Sequence, residues 1–254
     1  IPGFGPNFEN PVRTHADIDN LSVQPANESM PYIHDVIKLI RAELPKDIPL
    51  IGFGGAPFTL ASYAIEGKGS RNYVFVKQMM YGDTGAWHGL MEKITDTVID
   101  YMNYQIDSGV QAVQLFDSWV GTLSPSDYRE YVMPHSQRMM KEITGRVPVI
   151  HFGTGNPALA PLMAEAGGDV LALDWRTPLL ETWNATGVKS VQGNMDPIIL
   201  CADKASVKRK AKEVLDEVDG RPGHIFNLGH GIIPETPVEN VKALVDFVHE
   251  YSAR

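Results

Sequence analysis

Six short runs of apolar and β-branched residues, separated by stretches with helical periodicity, constrain this chain more than any other feature. They are Pro49–Phe53, Ala112–Phe116, Pro148–Phe152, Val170–Leu173, Ser190–Gly193 and His224–Leu228, and each ends in a cluster of Gly, Asn, Asp, Ser or His. Strands alternating with helices in this way give an α/β protein with a parallel sheet. The polar clusters matter for function, because α/β folds place their chemistry at the C-terminal ends of strands. The repeated βα pattern predicts a (β/α)8 TIM barrel, with six of the eight strands needed for closure visible in the sequence.

The intervening segments carry helix signals. Ile33, Val36, Ile37, Ile40 and Leu44 recur at helical spacing and stop at Pro45, and Ile94, Val98, Tyr101, Met102 and Ile106 do the same before Gly109. Ser124-Pro125 and Asn156-Pro157 each put a capping side chain before a proline at the first helical position. Thr236-Pro237-Val238-Glu239 has the spacing of a capping box, leading a final helix that should bury Val241, Leu244, Val245 and Val248. Pro134 should kink or break the helical pattern near Tyr131–Met140, and Ile1–Pro25 reads as loop. No Pro- or Ser-rich linker divides the chain, so residues 1–254 are expected to form a single domain.

Composition removes several function classes. The 254 residues carry 31 acidic and 22 Lys or Arg side chains, a formal net charge of −9, so a nucleic-acid partner is not expected. The single Cys201 leaves no intramolecular disulfide and no zinc site built on two thiolates, which fits a reducing, cytoplasmic setting. No uninterrupted apolar stretch reaches the length of a membrane-spanning helix, so no membrane partner is expected. The chain starts with Ile1-Pro2 and no initiator Met, which reads as a processed terminus or a start partway through a longer protein.

Candidate site residues lie after the strands. The glycines of Ile51–Gly67 match neither phosphate-binding fingerprint and read first as a tight turn. Tyr63, on the same segment, has the spacing of half-buried packing, with a hydrogen-bonding role as the alternative. Ser118 has no local activating base and no nucleophile elbow, so a substrate hydrogen bond suits it better than nucleophilic attack. Asp117 fits a loop cap as well as a site role, while Asp174 and Asp196 read as loop or cap residues. His151 lacks a second ligand at i+2 or i+4 and reads as structural. His230, between Gly229 and Gly231, is sterically open to a ligand and favours a site role.

Taken together, Ile51–Gly67 (IGFGGAPFTLASYAIEG), Gln114–Gly121 (QLFDSWVG), Leu173–Trp175 (LDW), Gln192–Pro197 (QGNMDP) and Asn227–Pro237 (NLGHGIIPETP) resemble the uroporphyrinogen decarboxylase family in order and spacing. The resemblance implies a (β/α)8 barrel carboxy-lyase that works as a homodimer without metal or organic cofactor. Its reaction removes CO2 from the four acetate side chains of uroporphyrinogen III, giving coproporphyrinogen III in porphyrin and haem biosynthesis. Tyr63, Ser118 and His230 match the family's substrate-binding tyrosine, hydroxyl residue and final-strand histidine. A tetrapyrrole with eight carboxylates needs several dispersed hydrogen-bond donors of this kind.

The family's RQAGRY-like arginine segment and its strand-end aspartate have no evident counterpart, and Ile1–Pro6 resembles the loop that follows that aspartate's βα unit. The expectation is therefore a chain lacking the family's N-terminal segment, with the catalytic aspartate and the arginines preceding Ile1 and no catalytic residue assigned. Two alternatives stand beside this reading. A related zinc- and corrinoid-dependent methyltransferase would need a His-x-Cys motif where His151-Phe152-Gly153 stands. A non-catalytic porphyrinogen-binding barrel fragment would bind without releasing CO2.

Overall fold

The computed structural model describes residues 7–143 and 145–253. Among them six strands form one sheet: β1 (Ile51–Gly55), β2 (Ala112–Asp117), β3 (Val149–Gly153), β4 (Val170–Leu173), β5 (Ser190–Met195) and β6 (His224–Leu228). Their spatial order is their sequence order, and every neighbouring pair is parallel. Helices connect successive strands, so the architecture is an α/β fold corresponding to part of a (β/α)8 barrel.

Alternation along the strands sorts side chains into two layers. Val113, Leu115 and Val149 face the surrounding helices and pack with Val98, Met102, Met139 and Ile143. Phe116, Ile150, Phe152, Val170 and Ala172 form a second cluster on the inner face. The largest apolar layer gathers Phe58, Trp87, Leu90, Tyr128 and Trp183 from the helices around β2 to β5.

Helix boundaries follow their caps. Pro57–Glu66 starts with proline at its first position and stops at Gly67 in the left-handed conformation. Thr84–Ser108 is capped by Asp83 accepting from Ala86 N and stops at left-handed Gly109. Ser124 and Asn156 cap as their sequences predict.

Four local expectations are corrected. Tyr32–Glu43 rides on the Thr84–Ser108 helix along a narrow stripe, so Ile37 is buried while Val36 and Ile40 stay exposed. In the last helix, Val238–Ser252, Leu244 is buried and Val245 exposed, with Phe247 packed in the same cluster. The capping box at Thr236 does not form: Pro237 is extended and occupies the cap position, leaving Thr236 Oγ1 buried and without a partner. The N-terminal stretch is not all loop, since a true capping box, Thr14 with Asp17, starts a short helix at His15–Asp19. Pro134 acts as expected in a specific way, because Tyr128–Val132 adopts a π-helical turn before the α-helix Met133–Ile143. The expected match at Ile1–Pro6 lies outside the described residues. No helix among the described residues is long and apolar enough to cross a membrane.

Candidate functional site

Two adjoining cavities open at the C-terminal ends of the strands. The inner one, about 380 Å³, is lined by Gln114, Phe116, Ser118, Phe152, Gln192 and His230 among others. The outer one, about 330 Å³, has Trp119, Trp175 and Arg176 on its wall. Ser118 and His230 line both, so the two spaces share a boundary made by the ends of β2 and β6.

The strand period explains the inner wall. Gln114, Phe116 and Ser118 are spaced two apart, so a strand that buries Val113 and Leu115 against helices must turn these three inward. Gln192 of β5 donates from Nε2 to Gln114 Oε1 across the buried floor at 3.3 Å. Above it runs an arc of edge-to-face rings. Phe116 meets Phe152 at 5.6 Å, Phe152 meets His230 at 6.1 Å, and His230 meets Trp175 at 6.4 Å between centroids.

His230 is held there by its glycine neighbour. Gly229 N donates to Met195 O at 2.7 Å, and a Cβ on Gly229 would come within 2.3 Å of Trp175 N, a close approach only glycine permits. The turn carrying Ser118 is fixed through Thr59, whose hydroxyl donates to Asp117 Oδ1 at 2.7 Å and accepts from Trp119 N at 3.2 Å. Tyr63 sits further out. It is half-buried, its ring meets Trp119 edge-on at 5.6 Å, and it lines neither cavity. Thus Ser118 and His230 come together, while Tyr63 reaches the site only through Trp119.

Asp117 and His151, both left open or assigned bland roles by sequence, are fully buried on neighbouring strands and line neither cavity. Burial pushes the Asp117 carboxyl up to about 7 against the lowering effect of the Thr59 hydrogen bonds, and its Oδ2 has no partner. Burial pushes the His151 imidazole down to about 4, with Nδ1 lying 3.3 Å from Gly167 O. His151 is thus a neutral core residue, as its isolation in sequence implies. Among the described residues no group of three or more His, Cys, Asp or Glu side chains is placed to hold a metal ion.

Sequence reasoning missed Arg176 and the aromatic arc. Arg176 lies over the Trp175 indole, 3.8 Å from the ring centroid, and donates from Nη1 to Asp174 Oδ2 at 3.0 Å. Asp174 is not merely a loop residue, since it also accepts from Thr154 Oγ1, Gly155 N, Arg176 N and Thr177 Oγ1. Burial opposes its ionisation, but the bonds from Thr154, Gly155 and Arg176 outweigh that and hold its pKa below the usual carboxylate value. The period of two in β2 could have revealed Gln114 and Phe116, whereas nothing local in the LDW segment marks the arginine beside it.

The arrangement is a binding surface rather than a nucleophile–base pair. A hydroxyl, an imidazole and a guanidinium stand around aromatic walls, which suits an aromatic-edged ligand with dispersed anionic groups.

Known proteins share the pattern of this chain. The family model for uroporphyrinogen decarboxylase (URO-D) matches residues 1–251. The uroporphyrinogen decarboxylase of Carboxydothermus hydrogenoformans is 52% identical over 252 residues, covering 98% of this chain and 72% of that protein. That of Thermus thermophilus is 48% identical over 254 residues, covering 100% of this chain and 74% of that one. A methyltransferase from Methanosarcina mazei superposes with a TM-score of 0.79 at 21% identity, over 97% of this chain and 70% of its own, a likeness of fold alone.

The expectation of a chain defined by a missing N-terminal segment of the family is corrected to a family match over nearly the whole of this chain. The family match starts at residue 1, and the Thermus protein aligns with the whole of this chain.

Proposed function

The chain belongs to the uroporphyrinogen decarboxylase family, and from that premise we propose that its paired cavities receive the tetrapyrrole, with Ser118 and His230 binding substrate carboxylates and Tyr63 supporting them. The enzyme is a carboxy-lyase that removes CO2 from the acetate side chains of uroporphyrinogen to give coproporphyrinogen. The observation that carries the site assignment is that β2 and β6 deliver Ser118 and His230 to one shared boundary, lined by Phe116, Phe152 and Trp175.

The chemistry explains what such a surface must do. Protonation of a pyrrole α-carbon creates the electron sink. The bond between the acetate methylene and its carboxylate then breaks and its electron pair flows into the protonated ring; the methylene takes up a proton to become a methyl group, and the α-carbon gives its proton back, restoring the aromatic pyrrole. Rates depend on interactions that strengthen as the ring cation forms and on holding each acetate in turn at one position. Ser118 donates a hydroxyl, and the uncluttered His230 donates from its ring as the macrocycle turns. Phe116 and Phe152 exclude water from the departing carboxylate, which favours its conversion to neutral CO2.

We also assign the enzyme to the cytoplasm, as one barrel domain acting as a homodimer; the family resemblance and the single cysteine support this reading. The direct test is anaerobic incubation with uroporphyrinogen III and chromatography of the oxidised products. Four successive losses of CO2 are expected, and His230→Ala should lower kcat/KM by about tenfold or more, in line with one charge-assisted hydrogen bond. Unchanged kinetics in both Ser118→Ala and His230→Ala would remove these residues from the site.

A further inference from the structure

We infer that Arg176 is a carboxylate-binding residue of the outer cavity, gripping a substrate side chain that projects past Ser118 and His230; this rests on the tetrapyrrole reading of that site. Four observations converge on it. Arg176 is the one arginine or lysine on the wall of either cavity among the described residues, in a chain whose net charge is −9. Its side chain is 48% exposed at the cavity, so its donors are not locked in the protein interior. The guanidinium carbon stands 3.8 Å over the Trp175 ring, which is itself edge-on to His230, and Nη1 is tied to Asp174, so the group is positioned before any ligand arrives. Only Nη1 has a partner among the described residues, which leaves Nη2 and Nε to meet a carboxylate with two parallel bonds.

The ion pair with Asp174 does not exhaust this arginine. Without the guanidinium, Asp174 would still accept from Thr154 Oγ1, Gly155 N, Arg176 N and Thr177 Oγ1. Asp174 is therefore a buried anchor that needs the side chain of Arg176 little, while Arg176 gains from Asp174 a fixed direction. Its position also fits the ligand's shape. Rings set against Phe116 and Phe152 in the inner cavity would send their acidic side chains outward, across the Ser118–His230 boundary, to the guanidinium on the outer wall.

Two readouts test this on the purified enzyme: the kinetics of uroporphyrinogen decarboxylation, and the Kd for uroporphyrin, the oxidised macrocycle with the same eight carboxylates, from its fluorescence. Arg176→Gln is expected to raise both KM and Kd about tenfold with kcat within twofold, and to leave the thermal midpoint in place. Arg176→Lys keeps the charge but loses the planar fork, so both values should rise about threefold. Unchanged KM and Kd in Arg176→Lys overturn the inference even if Arg176→Gln fails to fold, as does a loss confined to kcat in either variant. An unsubstituted protein that binds uroporphyrin through Arg176 but releases no CO2 would keep this inference and sink the reaction instead.

Discussion

Strands β1 and β2 are hydrogen-bonded neighbours with opposite ways of meeting the same helix layer. β2 turns Val113 and Leu115 toward the helices and buries both completely. β1 offers Gly52 and Gly54 at the equivalent positions, and a Cβ on either would come within 2.6 Å of Gln105 Oε1 or Met102 Cε. The inner faces differ as well, since Phe116 of β2 sits in the cavity wall while Phe53 of β1 is 64% exposed. β2 is thus held by side-chain burial on two sides, and β1 by close backbone approach to one helix. The strand that leads into Ser118 is the one with the stronger hold, which suits the substrate-binding role proposed for that residue.

Truncating Leu115 should break β2 and expose the size of that hold. Leu115→Ala removes a fully buried side chain from between the sheet and the Thr84–Ser108 and Met133–Ile143 helices. The expected loss is about 4 kcal/mol, toward the upper part of the range for buried leucines, because neighbours on three elements cannot all collapse into the gap. Urea unfolding at constant m-value measures it, and a loss below about 1 kcal/mol would mean that β2 is no better held than β1.

This asymmetry was only half visible in the sequence. All six strands announce themselves by β-branched runs with polar ends, and their order followed from βα succession. The position of Ser118 and His230 beside a cavity at the strand ends was legible because the residues that follow barrel strands gather there. The contribution of Arg176 was not, since its meaning depends on Trp175 beneath it and on a cavity shared by strands far apart in the chain. Thr236 misled for a related reason. Its spacing to Glu239 satisfies the capping pattern, but the intervening Pro237 takes the cap position itself. In β1, the glycines read as a turn, whereas two of them are the smooth face onto which a helix packs.

The second difference between the strands is a buried charge. β2 ends in Asp117, whose folded pKa of about 7 lies above its value of 3.8 in the unfolded chain. A raised pKa contributes stability that is fully present below about pH 4 and is lost as pH rises through about 7. His135 and His151 run the other way: their pKa values fall from 6.5 to about 4, so their contribution is present above 6.5 and lost toward 4. The opposing slopes predict a flattened stability profile for the parent protein across this window. Asp117→Asn removes one of the opposing slopes, so the stability of the variant relative to the parent should rise by about 3 kcal/mol between pH 4 and pH 8. Unfolding curves at both pH values check this, and equal differences at the two would mean that Asp117 does not titrate in the fold.

The smallest expected effect lies on β1, at the edge that faces away from β2. Gln105, buried on the Thr84–Ser108 helix, accepts from Phe53 N at 3.1 Å and donates from Nε2 to Phe53 O at 2.9 Å. Its amide thereby does for one residue what a neighbouring strand does for a whole edge. Gly52 makes this possible, because any side chain there would displace the amide. Gln105→Met keeps the volume and removes both bonds, so the Phe53 N–H and C=O must find water or stay unpaired. The expected cost is about 2 kcal/mol, less than for Leu115→Ala, because an outer strand gives water a route to those groups. Hydrogen exchange supplies the sharper reading. The Phe53 amide should lose protection in the Gln105→Met protein while the Leu115 amide keeps it, and loss at both positions would mean that β1 and β2 open as one unit and that their difference does not extend to their dynamics.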